Sequence, residues 1–578
     1  MIRWLWRFPA SIAEQLAIPS FWVSLVVAVL GYFSLTRLLQ DWLYRGFARP
    51  VDMFASYGPK FINPEPLEVP FYLLGYLVIP LIAYGLQRVV VPRISAAWQR
   101  RMFRWAVVAV VAAGAAAVAF QFPWARVFDF SQRAWGYLQT RGLGRALWFV
   151  AIKRLFIATL LVAGTAATFV VVFLVNRRGR KPVAPSAALE RWVSRVGWLT
   201  VPLLAVLLLH PNFPYENHHA YFFLAPVNDQ LHGKPLLYET SNLYGILNHY
   251  FLLAVFGLGV LPFHYPAFSL LLELTMLSFL VGWYVVLRRW LRSPTYAVAG
   301  TISASSLLYL FQATPTRSAY HFPALTPFRF WLVLPVFALL WQFHRRGRPA
   351  LARLAVALSS LALFWNLETG LAISGATFLC LLAVGSGRLL PRALKLAAEF
   401  GMWGLGIFLA ISLGNWTVYH EFPHWMVYVR DLGEFARGIA MYPLPAVGLY
   451  QLLAVSALAV LLWQVFRRRG KSVDVPLLFI ALYGALSMVH YVGESTWQTL
   501  YLAAWPFTLL FAALADRAPQ LQTAVGRRFS AAAISAGAFF FVGLLLVKLP
   551  IEFRQRDYRT AAASFWQPPQ REEVLLRD

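Results

Sequence analysis

Residues 263–290 read FHYPAFSLLLELTMLSFLVGWYVVLRRW, an apolar run that closes on two arginines. A helix needs roughly 17–25 mostly apolar residues to cross the hydrocarbon of a bilayer, and this run is long enough. It carries one carboxylate, Glu273. Acids are costly inside a membrane and usually mark a functional site or a buried partner. We therefore predict a membrane-spanning helix here, with its basic end at Arg288 and Arg289.

Similar runs recur along the whole chain of 578 residues. Hydrophobic residues make up 60% of the sequence, charged residues only 13%, and the mean hydropathy is +0.60. Soluble domains carry about 25% charged residues, so a soluble fold could not bury this much apolar surface. The composition predicts an all-α, polytopic transmembrane bundle. Its apolar runs are 20–39, 70–91, 104–122, 155–175, 196–210, 248–263, 264–288, 295–313, 329–343, 350–367, 370–386, 394–413, 446–466, 475–490, 496–514 and 529–548.

The formal charge of +27 comes mainly from short connections between these runs, such as NRRGRK (176–181), HRRGR (344–348) and FRRRGK (466–471). An excess of Lys and Arg in short cytoplasmic loops is the positive-inside pattern of membrane proteins, so we expect no nucleic-acid partner. The alternation predicts about 15 crossings, a cytoplasmic N-terminus and a C-terminal tail outside. The uninterrupted basic loops fit a bacterial inner (plasma) membrane.

Two smaller features restrict the chain further. Cys380 is the only cysteine, which excludes an intramolecular disulfide. The first 20 residues lack the compact apolar core and cleavage site of a signal peptide, and they are predicted to form an amphipathic helix on the cytoplasmic surface.

The alternation of charged loops leaves one apolar run too many between residues 246 and 290. The run at 248–263 is short and ends near Pro262 and Pro266. We interpret it either as a helix that enters the membrane without crossing, or as part of one broken span with 264–288.

The predicted organisation has three parts. Residues 1–190 form an N-terminal block of about four helices with outer loops, which could contact a membrane-protein partner. Residues 191–548 form the core, and residues 549–578 form the outer tail.

The most polar stretch, PYENHHAYFFLAPVNDQLHGKPLLYETSNLYG (214–245), directly follows the first run of this core. It contains three carboxylates, those of Glu216, Asp229 and Glu239. The segment AYFFLAPVNDQLHG has apolar residues at helical spacing, which predicts a short helix along the outer interface. A positioned Glu or Asp can act as general base on an acceptor hydroxyl.

The layout resembles the C-type (GT-C) membrane glycosyltransferases. The similar features are the first core helix, a large outer loop that begins with an acid, an interfacial helix and the segment GKPLLYETSNLYG. Three further segments are also similar to this family: 263–290, FWNLETGLAISGAT (364–377) and HYVGESTWQTLYLAAWPFTLL (490–510). The resemblance covers roughly residues 191–515. It implies transfer of a sugar from a polyprenyl-phosphate donor to a glycan, lipid or protein acceptor on the outer face.

By the same resemblance, the loop carboxylate that acts as base corresponds to Glu216. Many relatives carry two acids at this point, whereas this chain has ENHH, so Asp229 and Glu239 remain alternatives. A phosphate leaving group needs cations or hydrogen-bond donors. The candidate substrate and phosphate ligands are His218, His219, Lys234, Arg317, His321, Glu368 and His490. If a divalent cation such as Mg²⁺ or Mn²⁺ takes part, Glu216, His218 and His219 are the candidate ligands.

Two other classes of function stay open on the sequence. A lipid or glycan transporter would place ionisable residues near the bilayer midplane, and Glu273 is the residue that favours this class. A non-catalytic membrane scaffold that keeps the fold is compatible with the altered ENHH motif.

Overall fold

The computed structural model describes residues 19–44, 67–89, 187–208, 217–237, 245–311, 323–385, 387–428, 449–466, 473–493 and 497–517, with a few single positions between them. The elements in these ranges are helices. They are α1 (Pro19–Tyr44), α2 (Glu68–Val89), α3 (Ala187–Leu208), α4 (Asn217–Leu231), α5 (Ile246–Gly257), α6 (Tyr265–Trp290), α7 (Pro294–Ser305), α8 (Val333–Arg346), α9 (Pro349–Trp365), α10 (Leu367–Val384), α11 (Leu389–Tyr419), α12 (Leu449–Phe466), α13 (Val475–Gly493) and α14 (Trp497–Arg517). A π-helical turn (Ser306–Phe311) follows α7, and two 3₁₀ turns (Pro323–Leu325 and Pro327–Arg329) precede α8.

Within these ranges, seven helices are long and apolar enough to cross a membrane. They are α1, α2, α6, α10, α11, α13 and α14. The predicted all-helical, multi-pass membrane class is thereby confirmed. The total of about 15 crossings stays a prediction, because the apolar runs 104–122, 155–175 and 529–548 lie outside the described residues.

Aromatic side chains from helices far apart in sequence fill the centre of the bundle. Trp505 of α14 lies 5.7 Å from Trp283 and 5.3 Å from Phe279, both on α6, measured between ring centroids. Phe330 stacks on the same Trp505 at 5.6 Å. Edge-to-face and stacked rings at these distances add to the stabilisation from apolar burial. The core therefore holds α6, α14 and the segment between the 3₁₀ turn Pro327–Arg329 and α8 together.

The two N-terminal helices pack on the same core. The Arg37 guanidinium of α1 binds the buried Glu68 carboxylate of α2 at 2.9 Å, and the Leu444 backbone N–H donates to that carboxylate at 3.0 Å. The Tyr72 hydroxyl donates to the Ala485 carbonyl of α13 at 3.0 Å. Polar contacts thus join α1 to α2 and α2 to α13, in addition to apolar packing.

One end of the bundle, which we call the basic end, is held by charged contacts between helix termini. The backbone N–H groups of Arg292 and Ser293 donate to the Asp516 carboxylate at 3.1 and 2.9 Å. Arg517 binds Asp474 at 2.6 Å, and the Ser293 hydroxyl donates to Glu190 at 2.5 Å. These contacts join the end of α6 to the end of α14, and the end of α14 to the start of α13, so α6 and α14 end where α13 begins.

Helix α5 accounts for the extra apolar run in the topology. Its 12 residues give a length of about 18 Å, well short of the roughly 30 Å of hydrocarbon. Phe251 of α5 lies 5.5 Å from Trp365 at the end of α9, opposite the basic end. The His264 side chain accepts from the Ala267 N–H and starts α6 at this same end. The structure therefore favours the first interpretation, a helix that does not cross.

Candidate functional site

Arg329 is the only arginine that the described structure buries at the end of the bundle opposite the basic end, and a tight turn holds it there. The residue is 6% exposed and lies at the last position of the 3₁₀ turn Pro327–Arg329. Thr326 starts this turn, and its hydroxyl donates to the Pro323 carbonyl at 2.7 Å. The turn directs the guanidinium towards the first turn of α10, where Nε donates to Asn366 Oδ1 at 3.3 Å.

Glu368 meets Arg329 because of the way α10 begins. Asn366 caps this helix, and its side-chain oxygen accepts from the Thr369 N–H at 3.1 Å. The Thr369 hydroxyl lies 3.0 Å from the Arg329 carbonyl oxygen. An acid in the first turn of a helix is also favoured by the helix dipole. The cap places Glu368 Oε2 on Arg329 Nη2 as a direct ion pair.

His490 completes the site from the end of α13. Its Nδ1 contacts Glu368 Oε1, the second oxygen of the same carboxylate. Its Nε2 is buried and has no hydrogen-bond partner in the described part of the chain. A carboxylate on one ring nitrogen sets the orientation of the imidazole and leaves the other nitrogen for a ligand or a proton. Three elements thus bring Arg329, Glu368 and His490, which we call the charged triad, to one point.

The triad combines a buried cation with a partly open anion. The side chain of Glu368 is 41% exposed, whereas that of Arg329 is 7% exposed. Arginine presents several N–H groups in a rigid fork, which suits a carboxylate or a phosphate. The arrangement can hold a charged carboxylate at the surface of the bundle and offer it to hydroxyl groups, with an oriented imidazole beside it.

The short helix predicted in this loop is present as α4, and it packs beside the triad; its position along the outer interface stays a prediction. Phe223 of α4 lies 5.9 Å from Phe328, the neighbour of Arg329. His249 of α5 ties the two short helices together, because its Nδ1 is 2.9 Å from the Gly245 carbonyl and its Nε2 is 3.0 Å from the Phe222 carbonyl. These carbonyls favour the protonated ring, but burial outweighs them and lowers the pKa of His249. His249 is a structural link, and α4 lies at the same end of the bundle as the triad.

The segment after α4 is anchored to the long helix α11. Asn415 Nδ2 donates to the Leu236 carbonyl at 3.2 Å, and the His424 N–H donates to the Leu237 carbonyl at 2.8 Å. The Tyr250 hydroxyl donates to Asn415 Oδ1. Leu236 and Leu237 are therefore held between α5 and the end of α11.

The predicted site residues fall into three groups. Glu368 and His490 are brought into contact. Asp229 and Lys234 form a local ion pair of 3.6 Å at the end of α4. An exposed ion pair of this kind stabilises a protein by less than about 1 kcal/mol. The third group consists of residues whose side chains lie outside the described part of the chain: Glu216, His218, His219, Glu239, Arg317 and His321. Of these, His218 and His219 have their backbone in α4.

Sequence analysis did not select Arg329, which belongs to the apolar run 329–343. One signal could have found it: TPFRFW places an arginine in a connection that the charge pattern assigns to the outside, where arginines are scarce. The described residues contain no group of three His, Cys, Asp or Glu side chains that could hold a metal ion. The predicted cation ligands Glu216, His218 and His219 stay untested by this observation.

The chain was compared with protein-family models, curated proteins and solved structures, and none of them matches it. The resemblance to the GT-C glycosyltransferases stays an expectation from the sequence. A functional proposal depends on the residues and contacts described above.

Proposed function

We propose that this chain is an integral membrane glycosyltransferase that moves a sugar from a polyprenyl-phosphate donor to an acceptor on the extracytoplasmic face. The observation that carries the proposal is the charged triad at the end of the bundle opposite the basic end. Both Glu368 and His490 were selected from the sequence as substrate ligands, and they meet there beside α4. Two residues from separate helices that converge on one point support a site better than two scattered polar residues would.

The positions of Glu368 and His490 support a role for each of them. Glu368 accepts hydrogen bonds from sugar hydroxyls, because Arg329 stabilises the carboxylate as an anion and the carboxylate is partly open. His490 offers Nε2 to the donor or to a proton. Lys234 and the loop residues His218, His219, Arg317 and His321 are the groups that would neutralise the phosphate as it leaves.

The general base belongs to the first outer loop in this proposal. Glu216 is the first choice, with Asp229 and Glu239 as alternatives. A site at the edge of the membrane suits the chemistry, because a lipid-linked donor can stay in the bilayer while the acceptor arrives from water.

The test uses the full chain in liposomes that contain a radiolabelled sugar on a polyprenyl phosphate and a mixture of acceptors. Of the variants Glu216→Gln, Asp229→Asn and Glu239→Gln, the one that removes the base should lower transfer about 10²–10⁴-fold, the usual contribution of general base catalysis. Arg348→Gln, an exposed position at the basic end, is the control and should transfer normally. Normal transfer by all three carboxylate variants would contradict the mechanism, and repeating the assay with a chelator determines whether a divalent cation is needed.

A transporter or flippase is the second candidate, and Glu273 is the observation that favours it. This acid is 5% exposed and lies inside the span of α6. The same liposomes can be assayed for movement of the donor lipid between leaflets. Movement without transfer, lost in Glu273→Gln, would favour transport over glycosyl transfer.

A further inference from the structure

A cavity of about 250 Å³ opens at the basic end, far from the charged triad. It lies where the end of α10, the start of α11, the end of α12 and the start of α13 meet. Four leucines and two other apolar residues form most of its wall, and only Arg392 and Gln464 are polar. The apolar lining residues are Leu379, Leu382, Ala383, Leu389, Val473 and Leu478.

Arg392 is held in this wall by the end of α10. Its Nη2 donates to the Leu382 carbonyl at 2.9 Å, one of the carbonyls left open at a helix C-terminus. A methyl group at Gly385 would come within 2.9 Å of Nη1, so the glycine allows the guanidinium to lie against the helix end. The residue is therefore positioned by the backbone and does not move freely with solvent.

The positive charge of Arg392 is not balanced in the described part of the chain. Arg392 forms no ion pair among the described residues, and Asp474, which follows the lining residue Val473, pairs with Arg517 at 2.6 Å. The Arg392 Nε is buried and has no hydrogen-bond partner among the described residues. Arg388 and Lys395 flank it on α11 and are exposed. This excess of positive charge over an apolar cavity is complementary to a negatively charged amphiphile.

The surroundings of the cavity indicate lipid instead of a soluble metabolite. Leu389, Leu390 and Leu394 at the start of α11 are 62–69% exposed, so the mouth adjoins an apolar surface of the kind that contacts a membrane. Pockets for drug-sized molecules measure roughly 300–1,000 Å³ and have several convergent polar groups, whereas this cavity is smaller and has two. Its size suits part of an acyl chain.

We propose that this cavity binds one anionic phospholipid of the leaflet at the basic end, with the headgroup phosphate on Arg392 and an acyl chain against the leucines. Basic pockets between transmembrane helices on the cytoplasmic side are a recurrent type of anionic-lipid site. The bound lipid fills the gap between α10, α11 and α12 and so links the exposed helix α11 to the core. The proposal is independent of the sugar chemistry at the opposite end.

The experiment is native mass spectrometry of the full chain in detergent, titrated with dioleoyl phosphatidylglycerol or dioleoyl phosphatidylcholine. The wild type should retain one phosphatidylglycerol in preference to phosphatidylcholine. Arg392→Gln should weaken the binding of phosphatidylglycerol about fivefold, which is the effect of one basic residue near a membrane surface. Arg392→Lys keeps the charge and should retain most of the preference, while Arg348→Gln, an exposed arginine of the same end, should change nothing.

A second variant tests the apolar half of the site without touching the charge. Ala383→Phe places a ring in the cavity and should weaken the binding of both lipids. Thermal unfolding of each variant checks that it is folded. Three results would overturn the proposal. The first is that Arg392→Gln binds phosphatidylglycerol as tightly as Arg348→Gln does, and the second is that Ala383→Phe binds both lipids as tightly as the wild type. The third is that an equal concentration of glycerol phosphate displaces the lipid. The last result would mean that a free anion, and no lipid, is the ligand.

Discussion

Gly245→Ala is expected to destabilise the protein by about 2–5 kcal/mol, the sum of a backbone and a packing cost. The glycine has φ +117°, a conformation that side chains rarely adopt. A Cβ atom there would lie 1.9 Å from the Trp365 carbonyl oxygen and 2.9 Å from Asn366 Cα. Both neighbours are backbone atoms, so no rotation of a side chain can relieve the clash. The start of α5 would have to move away from the end of α9.

The consequence for function follows from the position of Asn366. It caps α10, whose first turn carries Glu368. A shift of α5 against this cap would disturb the charged triad, so we expect Gly245→Ala to lose activity together with stability. The measurement is the thermal unfolding midpoint in one detergent, with transfer activity measured in parallel.

Gly233→Ala is the matched control for this prediction. Gly233 has φ +85°, but a Cβ atom there would meet nothing within 4 Å. This variant has only the backbone cost, about 1–2 kcal/mol. Equal losses for Gly233→Ala and Gly245→Ala would show that the close approach to Trp365 does not exist.

Glu368→Gln is the second prediction and should cost about 3 kcal/mol. Removing one partner of a buried ion pair leaves the other charge unpaired, and such losses are about 3–5 kcal/mol. Arg329 is only 6% exposed, but Glu368 is partly open, which places the loss near the lower value. Lys234→Met is the control, because it breaks an exposed pair and should change stability by less than about 1 kcal/mol.

The double variant Arg329→Met with Glu368→Leu separates structure from function. Replacing both partners of a buried pair by apolar residues is often neutral for stability. We expect the double variant to unfold near the wild-type midpoint and still to transfer no sugar. If it recovers transfer along with stability, the triad is a structural element and does not belong to the proposed site.

Much of the fold could be predicted from the sequence because helices in a membrane are determined locally. The apolar run 264–288 became α6, and 475–490 became α13. The structure of the short run 248–263 was harder to predict, since its composition fits either a non-crossing helix or half of a broken span. Contacts of Phe251 with the end of α9 favour the non-crossing helix, and they depend on packing between distant segments.

The candidate site was predicted only in part. Glu368 and His490 stand out as polar residues at the ends of apolar runs, so they could be selected without a structure. Their contact with each other could not be inferred from the sequence. Arg329 was not selected, because it stands at the start of an apolar run.

The sequence by itself determined that this is a helical, multi-pass membrane protein, because the free energy of burying a segment in lipid is a sum over its own residues. It also determined which connections are basic, since that is a property of composition. Only the tertiary structure decided that Arg329, Glu368 and His490 meet, and that Arg392 borders an apolar cavity. Such meetings depend on how helices pack and on where caps and glycines let backbones approach, and no single segment encodes them.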